Sequence, residues 1–178
     1  EGVVRLDGLD PHSLRGSDRA THVALTAEDA HIFSTSVREN LRAARGDLSD
    51  VDAREVLQAA GLSEWAATLP QGLDTLITSE TVSGGERRRL LVARALASPA
   101  PLLLLDEPAE HLSAEVADEL MRDLLGLTAT GRSVVIVTHH TAALAHADRV
   151  LELLPSPSPA SREARVDSAH DLEETSTP

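Results

Sequence analysis

Two stretches of the chain are apolar almost without interruption, residues 102–105 (four leucines) and 133–137 (Ser-Val-Val-Ile-Val). Each stops abruptly on polar residues, Asp106-Glu107 in the first case and Thr138-His139 in the second. Runs that do not alternate suit strands covered on both faces, the habit of parallel sheets. Between them Val116, Leu120, Leu124 and Leu127 recur at helical spacing, which predicts a helix over 114–127 and a strand, helix, strand crossover. Further short strands are predicted at 3–6, before the turn dipeptide Asp7-Gly8, at 22–25, and at 149–154. The middle of the chain reads as helical. Residues 36–44 carry Ser36 or Thr35 as a cap and Glu39 at capping-box spacing, and 50–60 follow Ser49 and stop at Gly61. Residues 62–69, with the lone Trp65, close at Pro70. Residues 86–97 place Leu90, Ala93 and Ala97 on one face and Arg87, Arg88 and Arg94 mostly elsewhere, before Pro99 and Pro101 end the helix. The fold class expected is α/β. From Pro155 onward Pro, Ser, Ala, Glu and Asp replace the large apolar residues, and a disordered tail is expected over 155–178.

Composition narrows the chemistry. With 42% hydrophobic residues in 178 the chain can bury a core, but one Phe, one Trp and no Tyr make that core aliphatic. No cysteine means no disulfide, thiol nucleophile or zinc-thiolate site. The net charge of −13 disfavours a nucleic-acid footprint, and no apolar run approaches the ~18–20 residues needed to span a bilayer. The N-terminus lacks a signal-peptide pattern. It begins with Glu rather than Met, which fits a sequence starting inside a longer chain. All sixteen basic residues are Arg; there is no lysine.

Asp106 and Glu107 sit where doubly wound sheets place their ligands, at the carboxyl end of a strand. An Asp there can hold Mg²⁺, and a Glu one residue on can orient or deprotonate a water. The plain reading is a strand end turning at Pro108. Ser83-Gly84-Gly85-Glu86 precedes a helix, and two glycines let its free amides approach an anion closely; the plain reading is an N-cap with a glycine turn. His139 ends the other strand at the same sheet edge, placed to bond a terminal phosphate and an attacking water. A transition-metal site of Asp106, Glu107 and His139 is the lesser alternative. His140 reads as a surface or helix-start residue, and His22, His31 and His146 as ordinary turn or surface residues.

These motifs together resemble the ATP-binding cassette of ABC transporters, over about residues 1–154. Residues 82–90 resemble the signature motif, 102–107 Walker B with its catalytic glutamate, 110–113 the D-loop, and His139 the switch histidine. Residues 27–33 and 36–41 resemble the Q-loop and the start of the helical subdomain in exporter-type cassettes. Within the family, residues 29–33 and 106–112 look most like the CydC-type subunits of thiol-reductant exporters, which support cytochrome bd assembly.

The resemblance implies a RecA-like parallel-sheet core with an α-helical subdomain, divided as core with Q-loop (1–35), helical subdomain (36–97) and core with Walker B, D-loop and switch histidine (98–154). It implies ATP and Mg²⁺ as ligands. Asp106 and Glu28 would hold the metal, Glu107 and His139 would be catalytic, and Ser83, Gly84, Gly85 and Glu86, with Glu28, would meet nucleotide. It further implies a second cassette as partner, in a homo- or heterodimer, a transmembrane domain, and a place on the cytoplasmic face of the bacterial membrane, without nucleic acid. Four departures stand out. The P-loop with its lysine is expected upstream of residue 1, with the adenine-stacking aromatic. Glu28 stands at the Q-loop glutamine position, Ser113 at the D-loop aspartate, and 76–82 is short and lacks the usual glycines. The expectation is a chain that is inactive alone, offers a partner its signature half-site, and is poorly soluble.

Overall fold

The computed structural model of the chain describes residues 3–6, 8–27 and 30–153; Glu28 and the expected tail lie outside them. In chain order the helices are α1 (Gly16–His22), α2 (Val37–Arg42), α3 (Asp50–Ala59), α4 (Ser63–Thr68), α5 (Gly84–Ala97) and α6 (Ala114–Gly126). The strands are β1 (Val23–Thr26), β2 (Thr35–Ser36), β3 (Leu76–Ile77), β4 (Leu102–Asp106) and β5 (Ser133–Val137). The fold is α/β, as expected. Strand β4 lies between β1 and β5 and is parallel to both, with Leu103 facing Ala24 on one side and Val134 on the other. The pair β2–β3 is a separate antiparallel ladder of two residues a side.

Alternation along the strands divides the sheet sharply. Ala24, Leu103, Leu105, Val134 and Ile136 belong to the core cluster, together with Leu90, Leu91, Leu96, Leu120, Met121 and Leu124 from α5 and α6. The opposite face carries Leu25, Val135 and Val137, which are 67%, 49% and 57% exposed. The apolar runs therefore do not mark strands covered on both faces: among the described residues one face is packed and the other is open.

Helix α5 is the spine of the core. Its N-cap Ser83 accepts from the Glu86 amide while the Glu86 carboxylate accepts from the Ser83 amide at 2.7 Å, a closed capping box that starts the helix two residues before the expected Glu86. Seven apolar residues from Leu90 to Ala97 are buried on it, more than one stripe's worth, because neighbours pack on several sides. Its arginines reach backbone carbonyls: Arg87 to Ala30 at 2.7 Å, Arg89 to Gly61 at 2.6 Å, and Arg94 to His31 and Asn40 at 2.7 and 3.0 Å. Arg132, from the turn before β5, donates to the carbonyls of Leu96, Ser98 and Ala100, closing the C-terminal end of α5 with a cation. Buried Asn40 ties the turn before α2 by accepting from the Phe33 amide and donating to the Phe33 and Ser36 carbonyls.

Three expectations are corrected. Residues 3–6 form no strand, only an isolated bridge of Leu6 to Leu9, and 149–153 contain no helix or strand. Both runs have β-branched residues but no ladder partner among the described residues, and β-propensity without pairing does not make a strand. Arg88, expected away from the apolar face of its helix, is only 6% exposed. The chain divides into Glu1–Ala147 and Asp148–Pro178, and all the elements named lie in the first unit.

Candidate functional site

Strands β4 and β5 end side by side, with Asp106 in register with Val137. The chain then leaves β4 through Glu107, whose φ of 45° lies in the left-handed region, with its amide donating to the Val137 carbonyl at 2.9 Å. A non-glycine residue pays for that conformation, and here the cross-strand bond holds it there. The Glu107 side chain is thereby turned toward the residues that follow β5. Thr138 Oγ1 donates to Glu107 Oε2 at 3.2 Å, and His139 Nδ1 lies 3.0 Å from Glu107 Oε1. The His139 ring is mostly exposed. Its pKa is raised, first by the hydrogen bond to Glu107 and then by that carboxylate's charge. His140, whose amide donates to Thr138 Oγ1, stacks its ring on that of His139 with centroids 4.6 Å apart.

Asp106 is half-buried on the open side of the sheet, in line with Leu102 and Leu104. Among the described residues no ion pair or hydrogen bond engages its carboxylate. An uncommitted carboxylate at a sheet's carboxyl edge suits a hard, oxygen-seeking cation such as Mg²⁺.

The loop from Glu107 to Ser113 is seated on the first turn of α5. A Cβ at Gly84 would stand 3.4 Å from the His111 ring, and one at Gly85 would stand 3.3 Å from a Leu112 methyl and 3.6 Å from the His111 carbonyl. The glycines therefore let this loop approach closely, in addition to any role toward an anion. Buried Arg88 donates from Nη2 to Glu110 Oε2 at 2.5 Å, bridging α5 to the same loop, while its Nη1 is buried without a partner. His111, at φ 66°, makes the second left-handed turn of this loop. Within the first turn the capping box uses the Ser83 oxygen and the Glu86 carboxylate. It leaves the amides of Gly84 and Gly85, for which the helix itself offers no acceptor. Ser113 is the N-cap of α6 without a side-chain cap bond.

The structure thus joins Glu107 and His139 directly and places Asp106 beside them in sequence. It connects Ser83 to Glu86 with them through the 107–113 loop; Glu28 lies outside the described residues. From the sequence Thr138 is read only as a strand end, and Arg88 and Glu110 only as members of the signature and D-loop stretches, with no role of their own. Only the strand-terminal position of Thr138 could have flagged it, since nothing in a sequence couples residues 88 and 110.

A family model described as ABC transporter matches residues 1–110. The chain is 33% identical over 154 residues to the glutathione/L-cysteine transport system ATP-binding/permease protein CydD of Bacillus subtilis, covering 85% of this chain and 26% of that protein. It is 35% identical over 152 residues to the mycobactin import ATP-binding/permease protein IrtB of Mycobacterium tuberculosis, covering 84% and 26%. Among solved structures it matches that of a bacterial Atm1-family ABC exporter with ATP bound, at a TM-score of 0.73 and 26% identity, over 83% of this chain and 26% of that one. The chain spans about a quarter of the length of these relatives. Identity to CydD is no higher than to IrtB, so the similarity does not single out thiol-reductant exporters.

Proposed function

Because the chain belongs to the ABC transporter family through its ATP-binding cassette, we propose that it is the cassette part of an exporter subunit that couples ATP hydrolysis to transport across the bacterial membrane. The supporting observation is the Glu107–His139 pair at the carboxyl edge of the parallel sheet, on a loop seated against the glycine-led turn of α5. In this reading Asp106, with Glu28, holds Mg²⁺, which when bound neutralises charge on the phosphate oxygens. Glu107 draws the proton of the attacking water, and His139 turns from Glu107 to a phosphate oxygen. Ser83 and the amides of Gly84 and Gly85 meet the terminal phosphate of nucleotide held by a second cassette, at a helix N-terminus suited to anions.

The chain has no lysine to lie against the β- and γ-phosphates, so it does not turn over ATP alone. No helix among the described residues is long and apolar enough to cross a membrane, and a membrane domain is assigned to the parent subunit. The finer reading, by its resemblance, is export of thiol reductants in support of cytochrome bd assembly. A second reading makes the chain a non-catalytic module that only completes a partner's ATP site. It is favoured by the amides of Gly84 and Gly85, for which the helix itself offers no acceptor.

The experiment is ATP hydrolysis by the chain alone and mixed with a complete exporter cassette. No turnover alone and altered turnover on mixing are expected. Both readings place Ser83 at the partner's nucleotide, so Ser83→Ala should weaken the effect; weakening by Glu107→Gln as well supports the catalytic reading, and an effect that Glu107→Gln leaves intact supports the completing module. Turnover by the chain alone that survives Glu107→Gln would overturn both.

A further inference from the structure

Where β5 ends, a second imidazole stands beside the acid and histidine already described. Glu107, His139 and His140 each offer one donor atom, and the three atoms all lie within 4.8 Å of one another. Two loops bring them there: the left-handed turn at Glu107, pinned to Val137, and the Thr138–His140 turn, pinned by the bonds of Thr138 to Glu107 and to the His140 amide. In a tetrahedral site with bonds of about 2.0–2.1 Å the donors sit ~3.3 Å apart. Glu107 Oε1 and His139 Nδ1, at 3.0 Å, are already near that spacing. The His140 ring lies stacked on that of His139, so binding requires the half-buried His140 ring to rotate out of the stack, and His139 is exposed enough to adjust with it. Two imidazoles and one carboxylate select borderline divalent cations over Mg²⁺, which prefers an all-oxygen shell. Asp106, the oxygen donor suited to Mg²⁺, is not one of the three.

We propose that Glu107, His139 and His140 form a binding site for Zn²⁺ or a similar transition-metal cation, leaving one coordination position open. Occupation takes Glu107 and His139 away from water and phosphate, so the metal inhibits ATP turnover. That inhibitory consequence rests on the catalytic reading above, whereas binding itself does not.

The test is Zn²⁺ affinity by competition with a chromophoric chelator, with Co²⁺ absorption as a report on geometry. The expected result is one Zn²⁺ per chain, weakened at least about tenfold by His140→Ala and by Glu107→Gln, and unchanged by His146→Ala. Co²⁺ should show the intense visible bands of a four-coordinate site, lost in His140→Ala. Far-UV circular dichroism checks that the variants fold, with His140→Gln standing in should the alanine variant not. Affinity that is indifferent to both His140 substitutions, or equally weakened by His146→Ala, would overturn the proposal. If Zn²⁺ binds as expected but does not slow turnover in a mixture with a complete cassette, the catalytic reading fails and the site stands.

Discussion

The bond from Arg88 to Glu110 is the clearest place to ask whether α5 and the 107–113 loop act as one unit. Arg88 is 6% exposed, while the Glu110 side chain is 28% exposed, so the pair is desolvated on one side only. Arg88→Met keeps most of the buried volume and removes one charge-assisted bond, worth about 1.5–3 kcal/mol. Two features pull the net cost down. Glu110 keeps access to water and is not stranded as in a fully buried pair, where breakage costs about 3–5 kcal/mol. The Arg88 Nη1 that has no partner carries a desolvation cost that Met relieves. The expected loss is about 1–2 kcal/mol for Arg88→Met and about 2–3 kcal/mol for Glu110→Gln, which leaves the buried guanidinium charge facing a neutral amide, with a coupling of about 1 kcal/mol between them. Urea unfolding followed by far-UV circular dichroism, on the two single variants and the double, reads all three quantities. At roughly 2–4 °C per kcal/mol for a chain of this size, melting should fall by about 2–8 °C for Arg88→Met. Single losses that simply add in the double variant, within about 0.3 kcal/mol, would show that the contact carries no energy of its own.

Asn40→Ala strips partners from the Phe33 amide and the Arg94 guanidinium in a buried position, and should cost about 2–3 kcal/mol in the same unfolding assay. Gly85→Ala places a methyl against the flexible end of Leu112 at 3.3 Å while gaining helix propensity, so stability should stay within about 0.5 kcal/mol of the parent. The same variant should lower turnover in the mixed-cassette assay by about tenfold or more if the Gly85 amide meets phosphate. A large stability loss instead would make Gly85 a packing residue. NMR titration of His139 should give a pKa above the ordinary ~6.5, returning toward it in Glu107→Gln. Because the folded value is raised, the pair's small contribution to stability is present below ~6.5 and fades as pH rises through the folded value. A His139 titration unaffected by Glu107→Gln would remove that pairing.

Much of this arrangement could be read from residues alone, for identifiable reasons. Helices α3, α5 and α6 and strands β4 and β5 each carry a long enough pattern, or a strong enough cap, to declare themselves. Helix α1 has no apolar stripe in Gly-Ser-Asp-Arg-Ala-Thr-His, and β2 and β3 are two residues each; neither leaves a periodic trace. Residues 3–6 and 149–153 look like strands, but strand formation requires a neighbour that local sequence cannot specify. Arg88 breaks the helical pattern because Glu110, 22 residues later, makes its burial tolerable. The union of Glu107 and His139 was foreseen only as a shared sheet edge. Its atoms meet because Asp106 registers with Val137 and Glu107 turns left-handed, facts of pairing and backbone strain that no spacing encodes.

The arginines that moor α5 grip main-chain oxygens at Ala30, His31, Asn40 and Gly61, and Arg132 does likewise at the helix's far end. Every residue type presents the same main-chain carbonyl, so these bonds place no demand on the side chains of the residues that receive them. A guanidinium can span two such oxygens where an ammonium serves as a point, so replacement by lysine should be less forgiving than changes at Ala30 or His31, whereas Asn40, held by its own side-chain bonds, and Gly61, at a φ of 66°, are fixed for reasons of their own. Genetic drift in this cassette should therefore reach Ala30 and His31 and leave the arginines standing.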